Sequence, residues 1–539
     1  MKVNYLISGL CLLFSLSQSI LANDEIILPD SIKKAPANWF NLDRSKDGII
    51  GVSTDKAYSE LLVGKKPSKV VVAIIDSGIE TDHEDLKTSI WTNSDEIPGN
   101  GIDDDKNGYV DDINGWDFIG GPDSTFVQQD TWELTREYAL YSKKYELKEG
   151  ELLINKNLED YDYYITLKTD YEKQLAENKE THSNLLAFKN KIINSEVILA
   201  TFLKKDSLEL KDLAAINSGI DSIDEASFFM QKVLSQNIKA SMLDEGLKYY
   251  ETNLNYKLNT SFEPRHIVGD SYTDFSVRNY GNNMVEGPDA FHGTHVAGII
   301  AANRNNNIGI SGIAENAEIM VLRVVPSGDE RDKDVANAVF YAVDNGAKII
   351  NMSFGKDYSP YKYYVDSAFR YADSHGVLII HAAGNDSKNS DENPSYPTKT
   401  FVNNKGVCNT WIEVGATHWK DGNEMAGGFT NYGKKTVDLF APGVEILSTA
   451  PDQAYRVASG TSMSAPVVTG VATLVLSYYP SLTALELKSI LLDSSVKYKS
   501  QKVKKPGNPE DSIKFARLSK TGGVVNAYTA LKLAEKRLK

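Results

Sequence analysis

Cysteine is almost missing from this chain: 539 residues carry two. Cys11 lies in an N-terminal apolar stretch, so a processed chain would keep only Cys408 and form no internal disulfide. Cys408 precedes the strand-like run Trp411 to Gly415, where a packed, inert thiol is expected. Positive charge is short too. Against 73 Asp and Glu stand 58 Lys and Arg, a formal net charge of −15. That balance argues against nucleic acid and gives no reason to expect an anionic membrane surface, while it suits divalent cations. Long apolar runs are lacking at the N-terminus. Tyr5 to Phe14 is too short and too serine-broken to span a bilayer. Behind Met1-Lys2, with cleavage expected after Ala22, it reads as a signal peptide. The expectation is a secreted or periplasmic protein with no transmembrane segment in the mature chain.

Proline is absent from Val127 to Ser261 and glycine is rare there, while Leu, Lys, Glu, Asn and Tyr recur. This composition reads as helix. Leu185, Phe188, Ile192, Leu199 and Phe202 fall at three- and four-residue steps or their sum, like the seam of a helical hairpin or coiled coil. Residues 127–261 therefore read as an inserted, mainly helical module. It is either a cap on the rim of a cleft or an arm for a partner.

Outside this segment, apolar runs alternate with helical patterns. Val70 to Ile75, Ile319 to Val325, Ala347 to Met352 and Val377 to Ile380 suit central parallel strands. Helical stretches at Val335 to Asn345 and Tyr364 to His375 separate them, which implies an α/β fold: a parallel sheet with helices on both faces. Lys497 to Asp511 reads as a basic surface loop.

Chemistry enters at Gly460-Thr461-Ser462-Met463-Ser464-Ala465-Pro466. A serine between small residues at a helix start is uncrowded, and first-turn N–H groups point at charge developing beside it. Pro466 is expected in that same first turn, where a missing donor costs little. Serine needs a base, and the base an orienter. His292 stands in Phe291-His292-Gly293-Thr294-His295, and Asp76 ends an apolar strand ahead of Ser77-Gly78. Asn385, in His381-Ala382-Ala383-Gly384-Asn385, could donate to an oxyanion. Each motif alone has a bland reading as turn, cap or loop. Their order does not.

Asp, His and Ser in this order and these settings resemble the subtilisin-like serine proteases, from about Ile49 to Ala534 apart from the insertion. The resemblance implies a subtilisin-like fold and a serine endopeptidase acting on extended polypeptides through an acyl-enzyme. Ser462 would be nucleophile, His292 base and then acid, Asp76 orienter, and Asn385 with the Ser462 N–H the oxyanion hole. Ser353-Phe354-Gly355 matches the segment that pairs with substrate as an added strand. His295 reads as a core histidine, and His381 has no assigned role. The alternative is a catalytically silent binding protein of the same fold, which the unsubstituted trio disfavours. Only twenty-odd residues separate Ala22 from the core, too few for the inhibitory prodomain such proteases carry. The layout is 1–22 signal peptide, 23–48 short N-terminal segment, 49–126 first catalytic part, 127–261 insertion and 262–539 second catalytic part.

Two calcium sites are expected, both structural. Asp103, Asp105, Asn107, the Tyr109 carbonyl and Asp111 alternate around Gly108 like the start of a calcium loop. Asn114 stands where that pattern has a bidentate glutamate, and Asp112 is a substitute. An acidic turn exposed to water would read the same way. The second site rests on resemblance: Asp85 with the Asn306 side chain and the Ile308 and Ile310 carbonyls.

Overall fold

The computed structural model describes residues 34–146 and 158–539. The signal-peptide reading, Cys11 included, lies outside the described residues. Chain contacts divide the protein into two units, one of Leu134–Phe262 and one formed by the segments on either side of it.

The larger unit is built on a nine-stranded sheet. Its strands are β1 (Val70–Asp76), β2 (Gly115–Asp117), β3 (Ala317–Arg323), β4 (Ile349–Met352), β5 (Leu378–Ala382), β6 (Trp411–Thr417) and β7 (Leu439–Pro442). A hairpin of β8 (Ile446–Ala450) and β9 (Ala454–Ala458) follows, then β10 (Val496–Lys497), a second hairpin of β11 (Lys502–Lys505) and β12 (Asn508–Lys514), and β13 (Gly523–Val524). The order across the sheet is β10-β13-β7-β6-β5-β4-β1-β3-β2, parallel except for β10. β1 lies between β3 and β4, so the chain reverses its direction of travel across the sheet there. Clefts form at the carboxyl ends of strands at such a switch point.

Period-two alternation explains why both faces are covered. Val72 and Ile74 point into a core shared with helices Phe291–Ala301, Thr461–Tyr478 and Ala527–Leu538. Ala73 and Ile75 point into the opposite core, against helices Asp332–Asp344 and Lys362–Ser374. Apolar side chains on successive residues need apolar layers on both sides. Helix Thr461–Tyr478 is apolar enough to cross a membrane, but 89% of it is buried in this core.

Lys497 to Asp511, expected as a loop, is instead largely the β11–β12 hairpin. Pro506-Gly507 supplies its turn, with Gly507 at φ +77°, and fully buried Val503 anchors it.

The other unit consists of helices, including Leu158–Leu203, Asp221–Ser235 and Asp244–Thr252. Residues 127–132 ahead of it are not helical. Ile192, Leu199, Met230 and Val233 are buried together, with Leu185 and Phe188 packed on them. Phe202 is 44% exposed. Leu203, four residues on from Leu199, takes the covered position in the last turn.

Candidate functional site

Asp76 closes β1, 2% exposed, and its Oδ1 accepts from the Ser77 N–H at 2.8 Å. His292 is the second residue of helix Phe291–Ala301. The helix reaches β1 closely because Gly293 has no side chain: a Cβ there would stand 2.2 Å from the Gly78 carbonyl oxygen. This approach sets His292 Nδ1 2.6 Å from Asp76 Oδ1. The carboxylate accepts from Nδ1, which leaves Nε2 as the lone-pair nitrogen of the neutral ring. Burial alone would depress the His292 pKa. The Asp76 charge and hydrogen bond, with Asp289 adding, raise it above its ordinary value.

Helix Thr461–Tyr478 presents Ser462 in its first turn, where no intrahelical carbonyl reaches the Ser462 N–H. Pro466 is not in that first turn, as expected from sequence, but in the second. It therefore lacks the N–H that would bond to the Ser462 carbonyl. The Ser353 hydroxyl replaces that donor at 3.0 Å, and the Ser462 hydroxyl returns a 3.0 Å bond to the Ser353 carbonyl. Asn351, in β4, donates to the Ser353 hydroxyl at 3.0 Å and accepts from Thr469 at 2.8 Å. The end of β4 and the serine-bearing helix are thus joined by side chains.

Asn385 follows β5. Its Oδ1 accepts from the Thr461 N–H and hydroxyl at 2.8 and 3.0 Å. With the oxygen committed, the amide hydrogens face the other way. A Cβ built on Gly460 would lie 3.4 Å from Asn385 Nδ2 and 3.6 Å from the Ser462 nitrogen, so both donors border one space. A cavity of about 250 Å³ is lined by Asp76, His292, Ser353 and Phe354. Next along the segment is Gly355, where a Cβ would lie 2.9 Å from Ser395 Oγ and 3.2 Å from the Tyr396 carbonyl oxygen. This arrangement can attack a carbonyl, take up the proton and hold the resulting oxyanion.

His295 is fully buried, with Nε2 3.1 and 3.0 Å from the Ile446 and Arg456 carbonyls. Burial lowers its pKa to about 4. Cys408 is buried as well, and burial pushes its thiol up to about 11, which keeps it unreactive.

The acidic loop differs in detail from the expected ligand set. Asp103 accepts from the Asn107 and Gly108 N–H groups, and Asp111 from those of Gly99, Asn100 and Gly101. Asn107 Oδ1 accepts from the Tyr109 N–H. Glu96, Asp105 and Asp112 instead bring one carboxylate oxygen each within 4.8 Å of one another. Asp85 does meet the Asn303–Ile310 loop, but Asn303 N–H, the Asn306 amide and Ile310 N–H all donate to its carboxylate. Those donors take up both Asp85 oxygens in this arrangement. Sequence reasoning missed Thr461 and Glu96. Thr461 showed only as part of the serine motif, and Glu96 lies outside the alternating run.

The family model that matches is that of the subtilase family, over residues 235–513. His292, Asn385 and Ser462 lie inside that span and Asp76 outside it. The chain is 33% identical over 260 residues to Subtilisin DY of Bacillus licheniformis, covering 47% of this chain and 82% of that one. It is 31% identical over 301 residues to Subtilisin E of Bacillus subtilis (strain 168), covering 55% and 70%. Against the thermophilic serine proteinase of Bacillus sp. (strain AK1) it is 34% identical over 244 residues, spanning 45% of this chain and about half, 53%, of the relative. The chain belongs to the subtilase family. It is a serine-type endopeptidase, and its substrates are polypeptides.

Proposed function

We propose that this is an exported endopeptidase in which Ser462 attacks the peptide carbonyl, His292 carries the proton and Asp76 holds the imidazole. The observation that carries this reading is the 2.6 Å bond from His292 Nδ1 to buried Asp76, which leaves Nε2 to serve as base. An extended substrate pairs with Ser353-Phe354-Gly355. Its N–H takes the Ser353 carbonyl, and the Ser462 hydroxyl, released from that carbonyl, turns to His292. The proton then passes from Oγ to Nε2 as the tetrahedral adduct forms under Asn385 and the Ser462 N–H. His292 returns it to the leaving amine, leaving an acyl-enzyme that water hydrolyses by the same route. Export rests on the Met1 to Ala22 segment. The silent binding protein is not favoured, because no member of the trio is substituted. Labelling by a serine-directed phosphonate, blocked in Ser462→Ala, with casein cleavage lost in parallel, tests the assignment. A folded wild type that neither labels nor cleaves would overturn it.

Calcium is proposed as a structural ion at the acidic loop. Glu96, Asp105 and Asp112 would hold it: N–H donors to Glu96 and Asp105 and the donors to Asp112 offset part of their mutual repulsion, and a cation among the three converging oxygens would offset the rest. Burial raises the Asp112 pKa, and the Asp105 charge adds to the rise while hydrogen bonds from Tyr341, Asn107 and Asn93 oppose it. The ion would fix the loop and take no part in catalysis.

A further inference from the structure

His381 and Glu413 take no part in the chemistry above, yet both sit directly behind the peptide-binding edge. His381, near the end of β5, is fully buried, with its ring 5.0 Å from that of Trp411 and 6.5 Å from that of Phe354. Its Nε2 is 2.9 Å from the Phe354 carbonyl oxygen and its Nδ1 is 3.0 Å from Glu413 Oε1. A carbonyl oxygen only accepts, so Nε2 carries a hydrogen. In a neutral ring Nδ1 would then be a bare lone pair facing a carboxylate, which as an anion also only accepts. Two acceptors at that distance repel. The donor count therefore requires one more proton on the pair than a neutral imidazole beside a carboxylate would hold. Glu413 Oε2 accepts from the Trp411 indole at 2.7 Å, so Oε1 is the oxygen turned to His381. An imidazolium donating from both nitrogens satisfies every group, and the two buried charges neutralise each other.

The carbonyls on either side give this pair its purpose. The Phe354 carbonyl points back to His381, while the Ser353 carbonyl points to the Ser462 hydroxyl. Successive carbonyls of an extended segment face opposite ways, so fixing one orients its neighbour. We propose that His381, protonated and held by Glu413, is a positioning residue for peptide binding: it pins the Phe354 carbonyl and so aims the Ser353–Gly355 edge at the substrate. This rests on the reading of Ser353–Gly355 as the peptide-binding segment. Glu413 on β6 is the charged group in contact with the ring. On the β4 side the register neighbour is Met352, which does not titrate. Around the cavity beyond Glu413, Lys362 pairs with Asp366, Lys399 with Asp438, and Asp391 with the Lys435 and Thr436 N–H groups. Asp438 also accepts the Glu413 backbone N–H.

The test is kcat and KM on a peptide substrate at neutral pH for wild type, His381→Ala and Glu413→Gln, with phosphonate labelling as the control for a folded, competent serine. His381→Ala is expected to raise KM about tenfold with kcat within about twofold, the pattern of lost uniform binding. In Glu413→Gln the amide donates to a neutral imidazole whose Nε2 keeps its hydrogen on the Phe354 carbonyl, so KM stays near wild type. In parallel, ¹⁵N-histidine NMR of the wild type should show two protonated ring nitrogens on His381 at neutral pH, and one in Glu413→Gln. A single protonated nitrogen in wild type, a KM in Glu413→Gln as high as in His381→Ala, or a His381→Ala effect on kcat rather than KM would each overturn the proposal. Should His381→Ala not fold, Glu413→Gln and the NMR decide. Should no form cleave or label, the endopeptidase assignment fails instead, and the NMR still settles the proton.

Discussion

Thr461 holds the side-chain oxygen Oδ1 of Asn385 with both its N–H and its hydroxyl, at 2.8 and 3.0 Å. The amide that would stabilise an oxyanion is thereby aimed by the residue next to the nucleophile. Asn385→Ala should lower kcat by about 10²–10³, or roughly 2.7–4 kcal/mol of transition-state stabilisation. Thr461→Val, which keeps the N–H, should cost less than Asn385→Ala in the same steady-state assay. Equal losses would mean that Thr461 does more than orient the amide.

The raised pKa of His292 sets the acid limb of activity. Only the neutral imidazole acts as base, so kcat/KM should climb with pH through a value above the ordinary histidine range. Asp76→Asn removes the charge that raises it. The limb should then move to lower pH while kcat falls steeply, and an unmoved limb in that variant would point to another group.

His295 acts on stability with the opposite sign. Its folded pKa, about 4, lies below the ordinary 6.5, so between these values the unfolded chain binds the proton that the folded one refuses. Its contribution is complete above pH 6.5 and is lost as pH falls toward 4. His418, also lowered to about 4 by burial, adds to the trend. Melting temperature should fall across that window, and less steeply in His295→Gln. An equal slope in the variant would remove His295 from the explanation.

Calcium should raise the melting temperature and chelation should lower it, with the rise following RT ln(1 + [L]/Kd), roughly 2.7 kcal/mol at a hundredfold excess over Kd. Glu96→Gln with Asp112→Asn should abolish the calcium response. If calorimetry finds the same response in the double variant, the ion binds elsewhere.

The helical unit should be separable. Asp130 ahead of it and Glu263 behind it both bind the Arg331 guanidinium, so its two ends meet at one side chain. Replacing Leu134–Phe262 by a Gly/Ser linker should leave small-peptide hydrolysis intact, because closure cost changes slowly with loop length. If the module restricts entry, the ratio of folded-protein to small-peptide cleavage rises. An unchanged ratio leaves stabilisation or partner binding as its purpose.

The trio and the central strands were legible in the sequence because each sits in a local pattern: an apolar run ending in Asp, a glycine-rich helix start, a serine between small residues. What was not legible depends on residues far apart in the chain. His381 meets Phe354 and Glu413 only because β4, β5 and β6 are neighbours. Glu96 joins Asp105 and Asp112 by a fold of the loop that spacing rules do not encode, and Asp111, placed in the ligand set by its position, caps backbone N–H groups instead. Pro466 was misplaced by a turn, since a helix start is known only once its first hydrogen bonds are.

That proline has a consequence for motion. Ser353 and Ser462 are bonded twice, and the proposed attack opens only the bond from the Ser462 hydroxyl; the other, from the Ser353 hydroxyl to the Ser462 carbonyl, still makes a displacement of one drag the other. On the proposed mechanism, the strand end that would grip a peptide and the hydroxyl that would attack it therefore fluctuate together. The distance between nucleophile and scissile carbonyl varies less than the position of either, so thermal motion of the cleft is largely invisible to the bond being broken.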